Sequence, residues 1–301
     1  YIPPVQNLLR REVTAYASKA TGMQIQVERI DLRFPLNLLV RGVEVIQQPD
    51  TLLSLESLNV RVQAWPLLKG KVEVDEVTLS QVAVNSANLI EGMQIKGVLG
   101  RFFLQSHGVD LSNETAVVNR TELSDTHIQL LMTDTTTTPK DTTASAPVNW
   151  KVNLHQLKLK NVSFGMKLPA DSMKMAAYIG EATIDDAKAD LKNQFYGLKQ
   201  FLLSGASASY DTGEAQPSEG FDASHMAVRN IRIGLDSLLY EGRNMNAVIR
   251  EITMEERSGL SITSLTGRLF SNDSIIRIPE LKLQTPHSEI DLSAQTYWEL
   301  V

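Results

Sequence analysis

One six-residue pattern limits the architectures open to this chain more than any other feature: apolar, two mostly polar residues, apolar, polar, apolar. It occurs seven times, as Val27-Glu28-Arg29-Ile30-Asp31-Leu32 and again over Leu55–Val60, Val74–Leu79, Leu154–Leu159, Val228–Ile233, Ile249–Met254 and Ile278–Leu283. In a plain strand, positions i and i+3 point to opposite faces. A β-bulge at the doubled polar pair returns all three apolar side chains to one face, bends the strand and increases its twist. Pro279 sits inside one such pair, where a ladder donor can be missing. The repeat therefore predicts many bent antiparallel strands that present an apolar side to one interior, and so a strongly curved sheet. Spacing alone leaves three closures open: a small barrel, a sandwich with an ordinary core, or an open trough. Successive copies lie 19 to 80 residues apart, which is not the period of a tight solenoid.

Around this pattern the chain falls into segments. Pro3 and Pro4 can open a helix, and Val5, Leu8, Leu9, Val13, Tyr16, Ala17 and Ala20 follow helical spacing up to Thr21-Gly22. An amphipathic helix over 1–22 is expected, either as a lid on the following sheet or as a stalk below a transmembrane anchor. Strand alternation follows, at Val60/Val62, Val72/Val74, Leu157/Leu159, Ile231/Ile233 and Leu281/Leu283 among others. Residues 133–147 hold seven threonines in fifteen positions and no apolar periodicity, which reads as a solvated loop. Residues 187–203 fit a strand through Ala187, Ala189 and Leu191 and a helix through Leu191, Phe195, Leu198 and Leu202. The strand is favoured because both neighbouring segments are strands. The expected division is a helix at 1–22, a first β module at 23–132, the Thr-rich loop at 133–147, and a second β module at 148–301 that continues past the last residue.

Charge and composition exclude several functions. Lys plus Arg number 29 and Asp plus Glu 35, for a net charge of −6. A broad nucleic-acid surface needs a positive footprint, and aromatics at 6% offer few stacking platforms. With no cysteine, thiolate metal sites and cysteine nucleophiles are absent. No run of 18 apolar residues is present to span a bilayer. His107, His127, His155, His225 and His287 show no metal-ligand spacing. No phosphate loop or nucleophile elbow occurs. Asp185-Asp186 and Glu255-Glu256 are adjacent carboxylates, expected at solvated edges or turns and not poised for acid/base work. No catalytic residue, metal or cofactor is expected, and the chain is not read as an enzyme.

Two stretches resemble the AsmA-like superfamily, most closely its TamB-like translocation and assembly branch. The first is Thr21-Gly22, Val27–Leu32, Phe34-Pro35, Leu38–Val40 and Gly42-Val43. The second is Leu52–Val60 followed by Trp65-Pro66-Leu67-Leu68-Lys69-Gly70-Lys71-Val72 and Val74–Leu79. Ser258-Gly259-Leu260-Ser261-Ile262, Leu265-Thr266-Gly267 and Leu283-Gln284-Thr285 look like the form seen in Bacteroidetes members. The resemblance implies a periplasmic module, anchored in the inner membrane by an N-terminal helix in the full-length protein. It also implies a hydrophobic β-groove for phospholipid acyl chains travelling between inner and outer membrane, and an outer-membrane barrel protein as partner. Under it the open trough is the expected closure. Val60, Val62, Val72, Val74, Leu79, Leu157, Leu159, Ile231, Ile233, Leu281 and Leu283 are the expected lipid-groove residues. The alternative is a non-catalytic scaffold that assists outer-membrane protein assembly through its strand edges. Asp134-Thr135-Thr136 and Asp141-Thr142-Thr143 resemble a Bacteroidetes O-glycosylation motif.

Overall fold

The computed structural model describes residues 21–34, 36–47, 49–63, 74–86, 92–110, 113–132, 149–213 and 216–298, with isolated positions before and between them. The expected helix over 1–22 lies for the most part outside the described residues, as do the Thr-rich loop and Val72.

Fifteen strands follow in chain order. They are β1 (Gln24–Arg33), β2 (Asn37–Gln47), β3 (Asp50–Val62), β4 (Val74–Asn85), β5 (Met93–Asp110), β6 (Thr115–Met132), β7 (Lys151–Leu168) and β8 (Met173–Asp190). Then come β9 (Phe195–Leu198), β10 (Gln200–Asp211), β11 (His225–Glu241), β12 (Asn244–Glu256), β13 (Ser261–Ser271), β14 (Ile275–Gln284) and β15 (Glu289–Tyr297). Residues 187–203, ambiguous in periodicity, are thus the end of β8, a turn, β9 and the start of β10.

All fifteen strands belong to one sheet, in the order β1 to β8 and then β10 to β15, with the short β9 bridging β8 and β11 off this path. Neighbours are antiparallel throughout except β6 and β7, which run parallel. The sheet is therefore continuous across the Thr-rich segment. Hairpin chemistry is plain at the β11–β12 turn. There Glu241 pairs with Asn244 and the two-residue loop opens on Gly242 at φ 58°, the positive φ such tight turns require.

The expected bends are present. At the copy in β1, Val27 pairs with Val43 and Arg29 with Arg41, leaving Glu28 and Gly42 unpaired between them. At the copies in β11, β12 and β14 the register slips by one residue, between Arg229 and Arg232, Ile249 and Ile252, and Ile278 and Leu281. The bends also line up from strand to strand. Gaps in pairing follow Glu28, Gly42, Glu56, Gln81, Gly100, Asp125, Asn161 and Gly180 across β1 to β8. Gly42, Gln81, Asp125 and Asn161 have φ of 59°, 51°, 51° and 54°. The left-handed region costs a non-glycine residue roughly 1–2 kcal/mol, and Asp and Asn bear it best. Gly42 also carries the Glu28 side chain where a Cβ would stand, and a Cβ on Gly100 would meet that of Asp125 at 2.7 Å. These positions form a fold line across the sheet.

No second layer covers either face among the described residues, and every pair of elements in substantial contact is a pair of sheet neighbours. Among the described residues only Ile30, Leu52, Ala116, Ala182, Ala206 and Ala247 are buried apolar residues. The chain exposes 19419 Å², where a compact monomer of its 33.4 kDa would expose about 12,600 Å². Among the described residues the architecture is thus one large curved sheet whose outermost strands are β1 and β15, with no pairing between those two that would close it into a barrel.

Candidate functional site

The bends place the apolar residues of successive strands opposite one another. Starting at Ile30, direct cross-strand partners run Val40, Leu58, Leu79, Phe102 and Leu123, and across the parallel joint to Leu159. The same row continues through Ala182, Leu203, Ile233, Ile252 and Leu265 to Leu283 and Ile290. One apolar residue per strand thus crosses fourteen strands without a polar interruption. Thirteen interstrand steps of about 4.8 Å make a path of about 62 Å.

A second row lies beside it, through Leu38, Val60, Val77, Leu104, Leu157, Ile184, Phe201, Leu235, Ile249, Leu281 and Leu292, interrupted only by Thr121 and Gly267. Beyond the fold line the same face carries Val27, Val43, Leu55, Val82 and Leu99, then Thr126, Val162 and Ile179. Thr126 hides its hydroxyl by donating to the Ser124 carbonyl at 3.1 Å and is 2% exposed. The intervening residues, such as Asn59, Lys158, Lys160, Arg232 and Lys282, turn to the other face. Leu58, Leu79, Leu159 and Ile233 are half-buried. Full burial of such a side chain is worth about 1.5–3 kcal/mol, so a covering ligand has about 1 kcal/mol per residue still to gain.

The sequence-expected residues that are described fall on this face. Leu79, Leu159, Ile233 and Leu283 are in the first row, and Val60, Leu157 and Leu281 in the second. Val62 and Val74 pair directly at one end, and Ile231 pairs with Ala206 near the fold line. Missing from the expectation were Phe102, Leu123, Leu203 and Leu265. Also missed was a stacked tyrosine pair toward one rim, Tyr196 and Tyr240, with centroids 6.2 Å apart.

Polar clusters lie away from these rows. His155 Nδ1 and Asp186 Oδ1 are 3.1 Å apart, with Lys199 Nζ at 3.5 Å from Asp186 Oδ2. The His155 hydrogen bond, aided by Lys199, holds the Asp186 carboxyl below its ordinary pKa. Asp186 sits inside β8 at φ 50°, not at an edge. Glu256 corrects the expectation of a solvated carboxylate. It is buried because the 257–260 turn folds back, and it accepts the N–H groups of Ser258 at 2.6 Å and Ala227 at 3.3 Å. Hydrogen bonding by Ser258, first from its side chain and then from its N–H, lowers the pKa of Glu256, and the Ala227 N–H adds to this. His127 meets Ser163 Oγ through Nδ1, and its Nε2 lies 2.9 Å from the Gln129 amide. That serine–histidine contact lacks the carboxylate that would orient a catalytic base. No group of three or more His, Asp or Glu side chains among the described residues is arranged to hold a metal.

No known family profile matches the chain, and no curated protein matches it either.

Proposed function

We propose that this chain is a periplasmic module of the AsmA/TamB-like kind, non-catalytic, whose apolar sheet face receives phospholipid acyl chains on their way between inner and outer membrane. The observation that carries the reading is the unbroken apolar row across fourteen strands, over which no described residues form a second layer. Acyl chains gain about 25 cal/mol per Å² of apolar area removed from water. Along the row, the backbone groups of the interior strands are engaged in the ladder, as an apolar guest demands. Bulges and left-handed kinks give the sheet the curvature to wrap a guest, and the lysines and arginines on the reverse face keep it soluble. In the full-length protein an N-terminal anchor would hold the module to the inner membrane, and an outer-membrane barrel protein would receive the far end.

A second reading has its own support. β15 is the outermost strand among the described residues, with Ile290 51%, Leu292 42% and Tyr297 52% exposed. Its unpaired backbone groups suit strand addition by another β-protein, so scaffolding of outer-membrane protein assembly is the alternative.

Lipid extraction of purified protein followed by mass spectrometry tests the first reading. About one or more phospholipids per chain supports it. Protein free of lipid in every preparation, and unable to take up lipid from vesicles, refutes it.

A further inference from the structure

The geometry points to a second binding site, for an acidic oligosaccharide, on the face opposite the apolar rows. A cavity of about 1170 Å³ spans β5 to β12 near the end of the sheet where β6 and β7 finish. Its lining tells which face it opens on. Lys96, His127, Gln129, Ser209 and Asp211 border it without Ile95, Ile128 and Tyr210 between them, and this face supplies most of the lining, although in β7 and β8 the runs 163–167 and 174–178 border it at every position. In strands such neighbours point oppositely.

The cavity is deep because its floor is small. Gln129, Gly165, Ala176, Ser209 and Ala227 are successive cross-strand partners. Beside that floor, Tyr178 pairs with Ser163 on one side and Ser207 on the other, so both flanks of its half-exposed ring stay clear.

Charge selects the occupant. Arg229 is neutralised by Glu255 at 3.0 Å, and Arg257 donates to the His225 carbonyl. What remains in the cavity is Lys96, Lys167, Lys174 and Arg257 against Asp211 and the buried Glu256. Lys167 and Lys174 are direct cross-strand partners, an arrangement that repels; Lys174 also lies opposite Asp211 on its other side, and neither lysine forms an ion pair with another described residue. This local excess of positive charge stands on a chain of net charge −6.

The floor strands are interior to the sheet, with their backbone groups engaged on both sides, so strand addition by a peptide is closed here. Recognition must pass through side chains: ammonium groups for carboxylates or phosphates, Ser207, Ser209, Gln129 and Asp211 for hydroxyls, and Tyr178 with Ala176 for the apolar face of a sugar ring. That combination describes an anionic, hydroxyl-rich chain.

The test is titration calorimetry at low salt with an oligogalacturonate and with a maltooligosaccharide of equal length. The oligogalacturonate should bind at least tenfold tighter. A Lys167→Glu/Lys174→Glu double variant, changed only at exposed positions, should lose tenfold or more, while Lys158→Glu on the same face outside the cavity should change binding less than twofold. Leu159→Asp, on the opposite face, should leave sugar binding unchanged, which separates this site from the lipid reading. Four results would overturn the assignment: no oligogalacturonate binding, equal binding of the neutral sugar, an equal loss in Lys158→Glu, or tighter lysine-dependent binding to phosphatidylglycerol vesicles than to the sugar.

Discussion

The β1–β8 and β11–β15 regions solve the same problem with different backbone devices. In the first, the strands cross the fold line in register: pairing is identical on the two sides of Glu28 and Gly42, and the strain sits in left-handed residues such as Gln81, Asp125 and Asn161, while a register slip at a repeat copy occurs away from the fold line, in β4 against Arg61 and Val62. In the second, one strand gains a residue and the register slips, as between Ile278 and Leu281. Both restore the apolar residues to one face, and the row from Leu58 to Leu283 passes from one region to the other unbroken. The backbone route is interchangeable, and the continuity of the apolar face is what the two regions share.

The sharpest way to break the comparison is to charge the row in each region separately. Leu159→Asp and Leu283→Asp should each lower phospholipid occupancy at least tenfold, measured by extraction and mass spectrometry. Lys160→Asp, on the reverse face, should leave occupancy within twofold. A loss confined to one region would mean that the row does not act as a unit.

Next in size is the difference in glycine dependence. Gly42→Val places a branched side chain at φ 59° against Glu28 and should cost about 2 kcal/mol in denaturant unfolding. Glu280→Val, at an exposed position in the β14 bulge pair, should fall within about 0.5 kcal/mol. Equal costs would show that the two devices are the same.

A smaller, opposite-signed effect is expected at Gln81. It holds φ 51° inside β4, so Gln81→Gly should stabilise by about 0.5–1 kcal/mol, although glycine ordinarily weakens a strand interior. Destabilisation there would remove the strain argument.

The mildest test uses pH. Hydrogen bonds to Asp222, first from the Ser218 N–H and then from His225 and the Ser224 N–H, hold its carboxyl far below the ordinary 3.8. A depressed folded-state value stabilises above the ordinary pKa, and that contribution fades as pH falls below about 3.8 toward the folded-state value. Amide exchange at the start of β11 should accelerate in this acidic range before exchange in β3 does. Asp222→Asn should abolish the difference.

Much of this was legible in the sequence, for definite reasons. A doubled polar pair between apolar residues has one economical explanation in a strand, so the bends in β1, β3, β11, β12 and β14 could be read directly. Descending strands carry the spacing reversed, as in Leu38-x-Val40-x-x-Val43 and Val77-x-Leu79-x-x-Val82. Reading the pattern in one direction therefore missed half of the row. The copy Leu99-Gly100-Arg101-Phe102-Phe103-Leu104 escaped because Phe103 is apolar on the polar face, where Arg101 lies over its ring. The alignment of bends into one fold line depends on register between strands, which no local pattern encodes. Nor does any local pattern encode the parallel joining of β6 and β7, which merges the two expected β modules into one sheet.

The central claim is that one face of this sheet, and not the other, contacts lipid along its whole length. Photo-crosslinking in cells tests it directly, with a benzophenone amino acid placed in turn at Leu58, Leu159, Ile233 and Leu283, and at their reverse-face neighbours Asn59, Lys160, Arg232 and Lys282. The account expects phospholipid adducts at all four positions of the first set and background labelling at the second. Equal labelling of the two sets, or no lipid adduct at any row position, would contradict it.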